Sequence, residues 1–536
     1  MPDGVGLDSG SQASVTGPGP SASPATADRS GASSPQVGHG NSLARVARGS
    51  AINLVGAAVS AVANFALTLV VTHGVNATAA GVFFATTSLF LIVSSLGQLG
   101  SDTGLVYFIA RARASGNHGL VRPYLRTALG PVATTGLAAA CAMFILAPQL
   151  AELTNPGHVS LATGYLRVMA VAVPIALVEQ VNLSTTRGIG TMRPNALIEQ
   201  IGRPVLQLIL VAVAVIVGGA AVLLPAWCLS YAPAAIAAWL WCQHLCRPTD
   251  VRVPPNAVVE RGAFWRFSTP RALTSIIQVA MQRLDIILVG ALAGAVNAAV
   301  YAAATRFVVA GQLGNNAISL AAQPGLAGSL AREDRYTTNS IYQTATAWMI
   351  LVSWPLYLVF AIFSHRLVLA FGSGYSGGAV VLLLLSIAML MATATGMVDQ
   401  VLSMAGHTSW NLANAFVAVA IMLALDLWLI PKHAVLGAAI GWGAAIVIRN
   451  LAALALVAGV LRLHPIGAVT VSAAGLAAIS YGAIPWIVRT AIGDGLASLL
   501  ASVMLGTLCY APTLWWMRSR LHLDGLLSSL SRRTRT

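Results

Sequence analysis

Apolar stretches of about 20 residues recur along almost the whole chain, each long enough to carry a helix across roughly 30 Å of hydrocarbon. Fourteen can be drawn, the first at about 49–72 and the last at about 495–517. Backbone groups in lipid must be satisfied within the segment or in a closed barrel, and continuous apolar runs select helices over weakly alternating strands. Of 536 residues, 57% are hydrophobic and only 9% charged, against about 25% charged in an ordinary soluble domain. The expected fold class is therefore an all-α polytopic membrane protein.

The formal net charge of +14 reads as topology rather than as a nucleic-acid surface. With both termini placed in the cytoplasm, the cytoplasmic loops and flanks carry 22 Lys and Arg residues, among them Arg111, Arg187, Arg261 and Arg335. The opposite side carries only Arg366, Lys432 and Arg489. That asymmetry follows the positive-inside rule and predicts a multi-pass protein of the plasma or inner membrane. No external loop exceeds roughly 15 residues, which leaves no room for a catalytic domain and argues against an enzyme such as a glycan polymerase or ligase. The five cysteines lie in apolar helices and are expected to be free. Cys242-Gln-His244-Leu-Cys246 lacks a fourth ligand and reads as a helix end, so no metal or cofactor is expected.

Residues 1–43 are rich in Gly, Ser, Pro and Ala and are expected to be a disordered tail. A first lobe of six helices occupies 44–245, and a polar linker with Pro248, Pro254 and Pro255 occupies 246–268. A second six-helix lobe follows at 269–462, then two further helices at 463–517 and a basic tail at 518–536. Gly81-Val-Phe-Phe-Ala-Thr-Thr87 aligns with Ala299-Val-Tyr-Ala-Ala-Ala-Thr305, and Gly190-Thr-Met-Arg-Pro-Asn195 with Gly406-His-Thr-Ser-Trp-Asn411. The near-equal offsets suggest a six-helix repeat, whose even count predicts lobes related by a pseudo-twofold along the membrane normal.

Polar residues inside the apolar runs mark the candidate site, because an ionisable group at mid-membrane costs roughly 2.5 to 3.5 kcal/mol on insertion scales. The helix at 269–293 carries Thr274, Gln278, Gln282 and Asp285 at helical spacing, with Arg283 at the edge of that face. The repeat sets Leu67 opposite Asp285, so these charges belong to the second lobe alone. The next helix has Arg306 and a stripe including Gln312 and Asn316, and the tenth has Thr395, Asp399 and Ser403. The first lobe contributes Asn53, Asn64, Arg167 and Glu179. Glu199 and Arg203 read as an intrahelical pair, and Asp102 and Asp426 as helix-end residues reaching interfacial water. For Asp285, Arg283, Arg306 and Asp399, a cavity role and an internal salt bridge both stand. Gly437-Ala-Ala-Ile-Gly441 reads as a close-packing motif.

Arg48-Gly-Ser-Ala-Ile-Asn53, Gly81-Val-Phe83, Leu99-Gly-Ser-Asp-Thr-Gly-Leu105, Arg187-Gly-Ile-Gly-Thr-Met-Arg193 and Asp285 followed by Val300-Tyr301 together carry a family resemblance. Over about residues 44–517 the chain resembles the polysaccharide-biosynthesis (O-antigen-type) flippases of the multidrug/oligosaccharidyl-lipid/polysaccharide flippase superfamily. The resemblance implies a V-shaped pair of lobes and alternating access. It further implies export of a polyprenyl-diphosphate-linked oligosaccharide from the cytoplasmic to the outer leaflet, alongside polysaccharide assembly enzymes. Arg283, Arg306 and Arg167 then suit the diphosphate, while Gln278, Gln282, Gln312, Asn316, Asn53 and Asn64 suit sugar hydroxyls. Asp285, Asp399 and Glu179 are the candidates for coupling to a proton or sodium ion. The alternatives are a cation-coupled multidrug exporter and a peptidoglycan lipid-precursor flippase. The latter is disfavoured because its relatives look richer in arginine on the first helix.

Overall fold

A computed structural model describes residues 39–246 and 259–521, with side chains from Ile52 onward apart from Leu54. Residues 1–38, 247–258 and 522–536, which include most of the expected tails and linker, lie outside the described residues. Packing separates a short unit, Met1–Ala47, from one large unit, Arg48–Thr536.

In the first half, α1 (His39–Gly74), α2 (Ala77–Gly97) and α3 (Ser101–Ala114) lead to α4 (Val121–Ile145) and a short α5 (Ala147–Thr154). Next come α6 (Val159–Gly188), a π-helical turn Asn195–Gly202 running into α7 (Arg203–Val217), then α8 (Ala220–Leu229) and α9 (Tyr231–Leu245). The second half opens with α10 (Arg261–Ala293), α11 (Ala295–Ala331) and α12 (Arg335–Ile362), followed by α13 (Ser364–Val368), α14 (Gly378–Ala394) and α15 (Val398–Met404). It continues through α16 (Thr408–His433), α17 (Val435–Leu456), α18 (Ala468–Ala477), α19 (Ile484–Ile492) and α20 (Leu496–Trp516).

Among the described residues, thirteen spans are long and apolar enough to cross a membrane, and they match the expected segments with one exception. The exception is α11, a 37-residue helix of ample length whose apolar run is interrupted by Arg306, Gln312, Asn315, Asn316 and Gln323. Two boundaries also move. Helix α10 begins at Arg261, so 261–268 are helix rather than linker, and α1 begins at His39, inside the stretch expected to be disordered.

Local chemistry explains the breaks. Asn76 caps α2 by accepting the Ala79 N–H at 2.8 Å. Leu99 (φ 52°) and Gly100 (φ 69°) adopt the left-handed region and separate α2 from α3, where the sequence showed one segment at 79–101. Gly294, at φ 91°, reverses the chain between α10 and α11.

Lipid offers apolar side chains as good a surrounding as other side chains do, so helices in a membrane associate through close packing of small residues. Helix α2 packs on both α10 and α11, and α3 on α10, joining the halves. A Cβ at Gly81 would overlap the Ala295 carbonyl, and one at Gly100 or Gly104 would overlap Ser268. At the Gly81 end, Phe65 of α1, Phe307 of α11 and Phe371 form a cluster with ring centroids 5.1 to 5.6 Å apart. Gly437 and Gly441 bring α17 onto α16, against Leu429, Ile430 and Asp426. Helices α18 to α20 sit outside α12.

Candidate functional site

Polar side chains from both halves converge on a cavity of about 290 Å³. Helix α2 supplies Ser94 and Ser95, α6 supplies Gln180, the π-helical turn supplies Glu199, and the start of α7 supplies Arg203 beside Tyr231 of α9. The opposite wall is α10, through Ser275, Val279, Gln282 and Arg283. These four recur at helical spacing, so one stripe of α10 faces the cavity.

Arg203 organises one side. Its guanidinium lies 3.4 Å from Glu179 and 4.0 Å from Glu199, donates to the Tyr231 hydroxyl at 2.9 Å, and sits over that ring. Gln180 holds Glu199 by donating to it at 2.7 Å. The pair expected within one helix is therefore secondary to a bridge between α6 and α7 that ends on the fully buried Glu179. Sequence spacing favoured Glu199 because only intrahelical neighbours can be counted along a chain.

Arg283 has no such partner. Among the described residues it forms no hydrogen bond or ion pair, and the Arg306 guanidinium is near enough for the two charges to repel. The Arg306 Nε is buried without a hydrogen-bond partner, and its guanidinium stands 5.7 Å from the Phe84 ring centroid. Among the described residues Asp285 is the one carboxylate that acts on Arg283 and none acts on Arg306, so the two cations repel in an arrangement that an anion stabilises.

Asp285 does not share this surface. It lies two residues from Arg283, about 200° around the helix, and is 1% exposed. The Tyr301 hydroxyl of α11 donates to one of its oxygens and the Ile286 N–H to the other. Asp426 of α16 acts electrostatically on the same tyrosine and on Asp285. Read from sequence as reaching interfacial water, Asp426 is instead fully buried, with neither oxygen hydrogen-bonded. It was misread because it lies close to a segment end, whereas the glycine face of α17 covers it.

Asp399 of α15 is paired with a residue that the sequence reading passed over, Arg449 of α17, at 2.6 Å. Asn411 and Asn414 tie the backbones of this pair to α16, and Gln323 bonds Gln400 across α11 and α15. Of the remaining candidates, Gln312 is half-buried near the Met389 sulfur, while Gln278, Asn316 and Asn64 are exposed outside the cavity lining. Asn64 bonds its own helix at Ser60, and Asn53 is half-buried. Arg167 lies apart, exposed beside Phe144 of α4, about 180° around α6 from the cavity-lining Ala176. All five cysteines are free; the Cys242 and Cys246 sulfurs stand 3.9 Å apart, and His244 is exposed.

The profile of the polysaccharide biosynthesis protein family matches residues 83–377, more than half of the chain. The chain belongs to that family. No curated protein sequence matches. Among solved structures, the fold is similar to the lipid II flippase MurJ in an inward closed conformation, with TM-score 0.66 and 11% identity over 90% of this chain and 99% of that one. It is also similar to an inward-facing multidrug resistance MATE family transporter, with TM-score 0.62 and 15% identity over 77% and 96%. A transporter of the same superfamily from Pyrococcus furiosus gives TM-score 0.52 and 16% identity over 77% and 93%. At these identities the likeness establishes the fold, which is that of the multidrug/oligosaccharidyl-lipid/polysaccharide flippase superfamily.

Proposed function

We propose that this polysaccharide biosynthesis protein flips a polyprenyl-diphosphate-linked oligosaccharide across the plasma or inner membrane by alternating access. The carrying observation is the pair Arg283 and Arg306, which repel one another and form no ion pair, with Arg283 lining the polar cavity. An anionic diphosphate offsets that charge, whereas a cationic drug would add to it, which disfavours multidrug export. The glutamine and serine side chains around Arg283 suit glycan hydroxyls. Arginines concentrated on one side of the membrane support cytoplasmic termini, and hence loading from the cytoplasmic leaflet.

Asp285 and Asp426 supply the coupling site in this reading. Two buried carboxylates near one another are held at high electrostatic cost unless a proton or sodium ion shares them. Entry of that cation then favours one packing of α10 against α11 and α16. Glycan assembly enzymes in the same membrane supply the substrate and consume the product.

The test is reconstitution with defined lipids alongside export measured in cells. Arg283→Ala and Asp285→Ala are expected to abolish glycan export with near-normal membrane abundance. Normal export in both variants would sink the reading, and flipping of a peptidoglycan precursor in preference to other lipid-linked glycans would shift it to that substrate.

A further inference from the structure

A second hollow, of about 360 Å³, lies between α4 and α6 and is separate from the polar cavity. Its lining is wholly apolar, with Leu137, Ala140 and Phe144 from α4 and Val171 and Pro174 from α6. Alanines at 140 and 170 leave the floor open. Arg167 precedes Ala170 by one turn of α6, and its guanidinium stands 5.4 Å from the centroid of the Phe144 ring, which lines the hollow. A cation therefore stands at one end of a dry groove.

The axial positions matter. Arg167 is eight residues into α6 from Val159, about 12 Å at 1.5 Å per residue, and the hollow runs roughly a further 10 Å to Pro174. A long arginine side chain at that depth extends toward the headgroup layer. Among the described residues Arg167 forms no hydrogen bond or ion pair, so beyond the Phe144 ring the protein offers its charge no partner. A phosphate at the level of the guanidinium with an acyl chain running down the groove satisfies both ends at once.

We propose that this hollow binds one acyl chain of an anionic phospholipid, whose phosphate pairs with Arg167. The site needs no substrate in the polar cavity and faces the bilayer continuously.

Cys141 lies exposed in the lining and provides a probe. The full chain is purified in detergent, and retention of phosphatidylglycerol is compared with that of phosphatidylcholine bearing the same chains by native mass spectrometry. Maleimide labelling of Cys141 is followed in parallel, peptide by peptide. The unaltered protein is expected to retain phosphatidylglycerol preferentially and to label more slowly in its presence. Arg167→Gln is expected to lose about fivefold in retention, with Arg167→Lys restoring most of it, and Ala140→Phe is expected to fill the groove and abolish the protection. Equal retention of the two lipids, or unchanged retention and protection in Arg167→Gln, would overturn the proposal. Cross-linking of two chains through Cys141 would also overturn it, by showing that a second copy covers the groove.

Discussion

Arg449 of α17 reaches Asp399 of α15 across 2.6 Å, tying together two helices that the sequence presents about fifty residues apart. Both side chains are about one-third exposed, so the pair falls between a solvated surface bridge and a dry one. Removing either partner leaves an unpaired charge beside the membrane core. Asp399→Asn and Arg449→Gln should each destabilise the protein by on the order of 1–3 kcal/mol. The exchanged pair, Asp399→Arg with Arg449→Asp, should recover part of that loss. Thermal unfolding of the detergent-solubilised protein measures this, and a swapped variant no better than the singles would show that no direct pairing exists.

Gly81 touches Ala295 so closely that no side chain fits between α2 and α11. Gly81→Val should hold the two helices apart and reduce export severely at near-normal abundance. Gly130→Val provides the control, since no atom lies within 4 Å of a Cβ added there in α4. Export that is equal in the two variants would show that the close approach is not needed for the transport cycle.

Asp334 caps α12 from outside the span by accepting the Thr337 N–H at 3.0 Å. Hydrogen bonding from Thr337 holds its carboxyl below the ordinary value of 3.8. A depressed carboxylate contributes stability above its unfolded pKa and loses it as pH falls through the folded one. Amide exchange at Thr337 and Thr338, corrected for intrinsic rates, should therefore be indifferent to pH down to about 4 and accelerate only below it. Asp334→Ala should show the faster exchange throughout, and a cap-independent rate would contradict the assignment.

Helix positions and the class of fold were legible because a 20-residue apolar run has few alternatives in lipid. The polar interruption at Gln282, Arg283 and Asp285 was legible for the same reason. Its division was not: spacing placed Asp285 on the glutamine face, but α11 and α16 approach from the other side and take it out of the cavity. Arg449 was overlooked as a single charge in an apolar run, and only the fold brings Asp399 to it. Tyr301 is legible only as part of the repeat and of the resemblance, and its role as the donor to Asp285 needs the fold. Arg167 was grouped with the cavity arginines by charge, although its position on α6 already separated it from the cavity wall by half a turn.

The polarity of α11 bears on how the protein is made. A helix carrying Arg306 and a run of amides gains less from entering lipid by itself than an uninterrupted apolar run does. Its neighbours α10 and α12, both apolar enough to cross, flank it in the chain and pack against it in the fold. Helix α11 is therefore expected to settle in the bilayer together with α10 and α12, where its amides meet partners such as Ser353, which donates to Asn315.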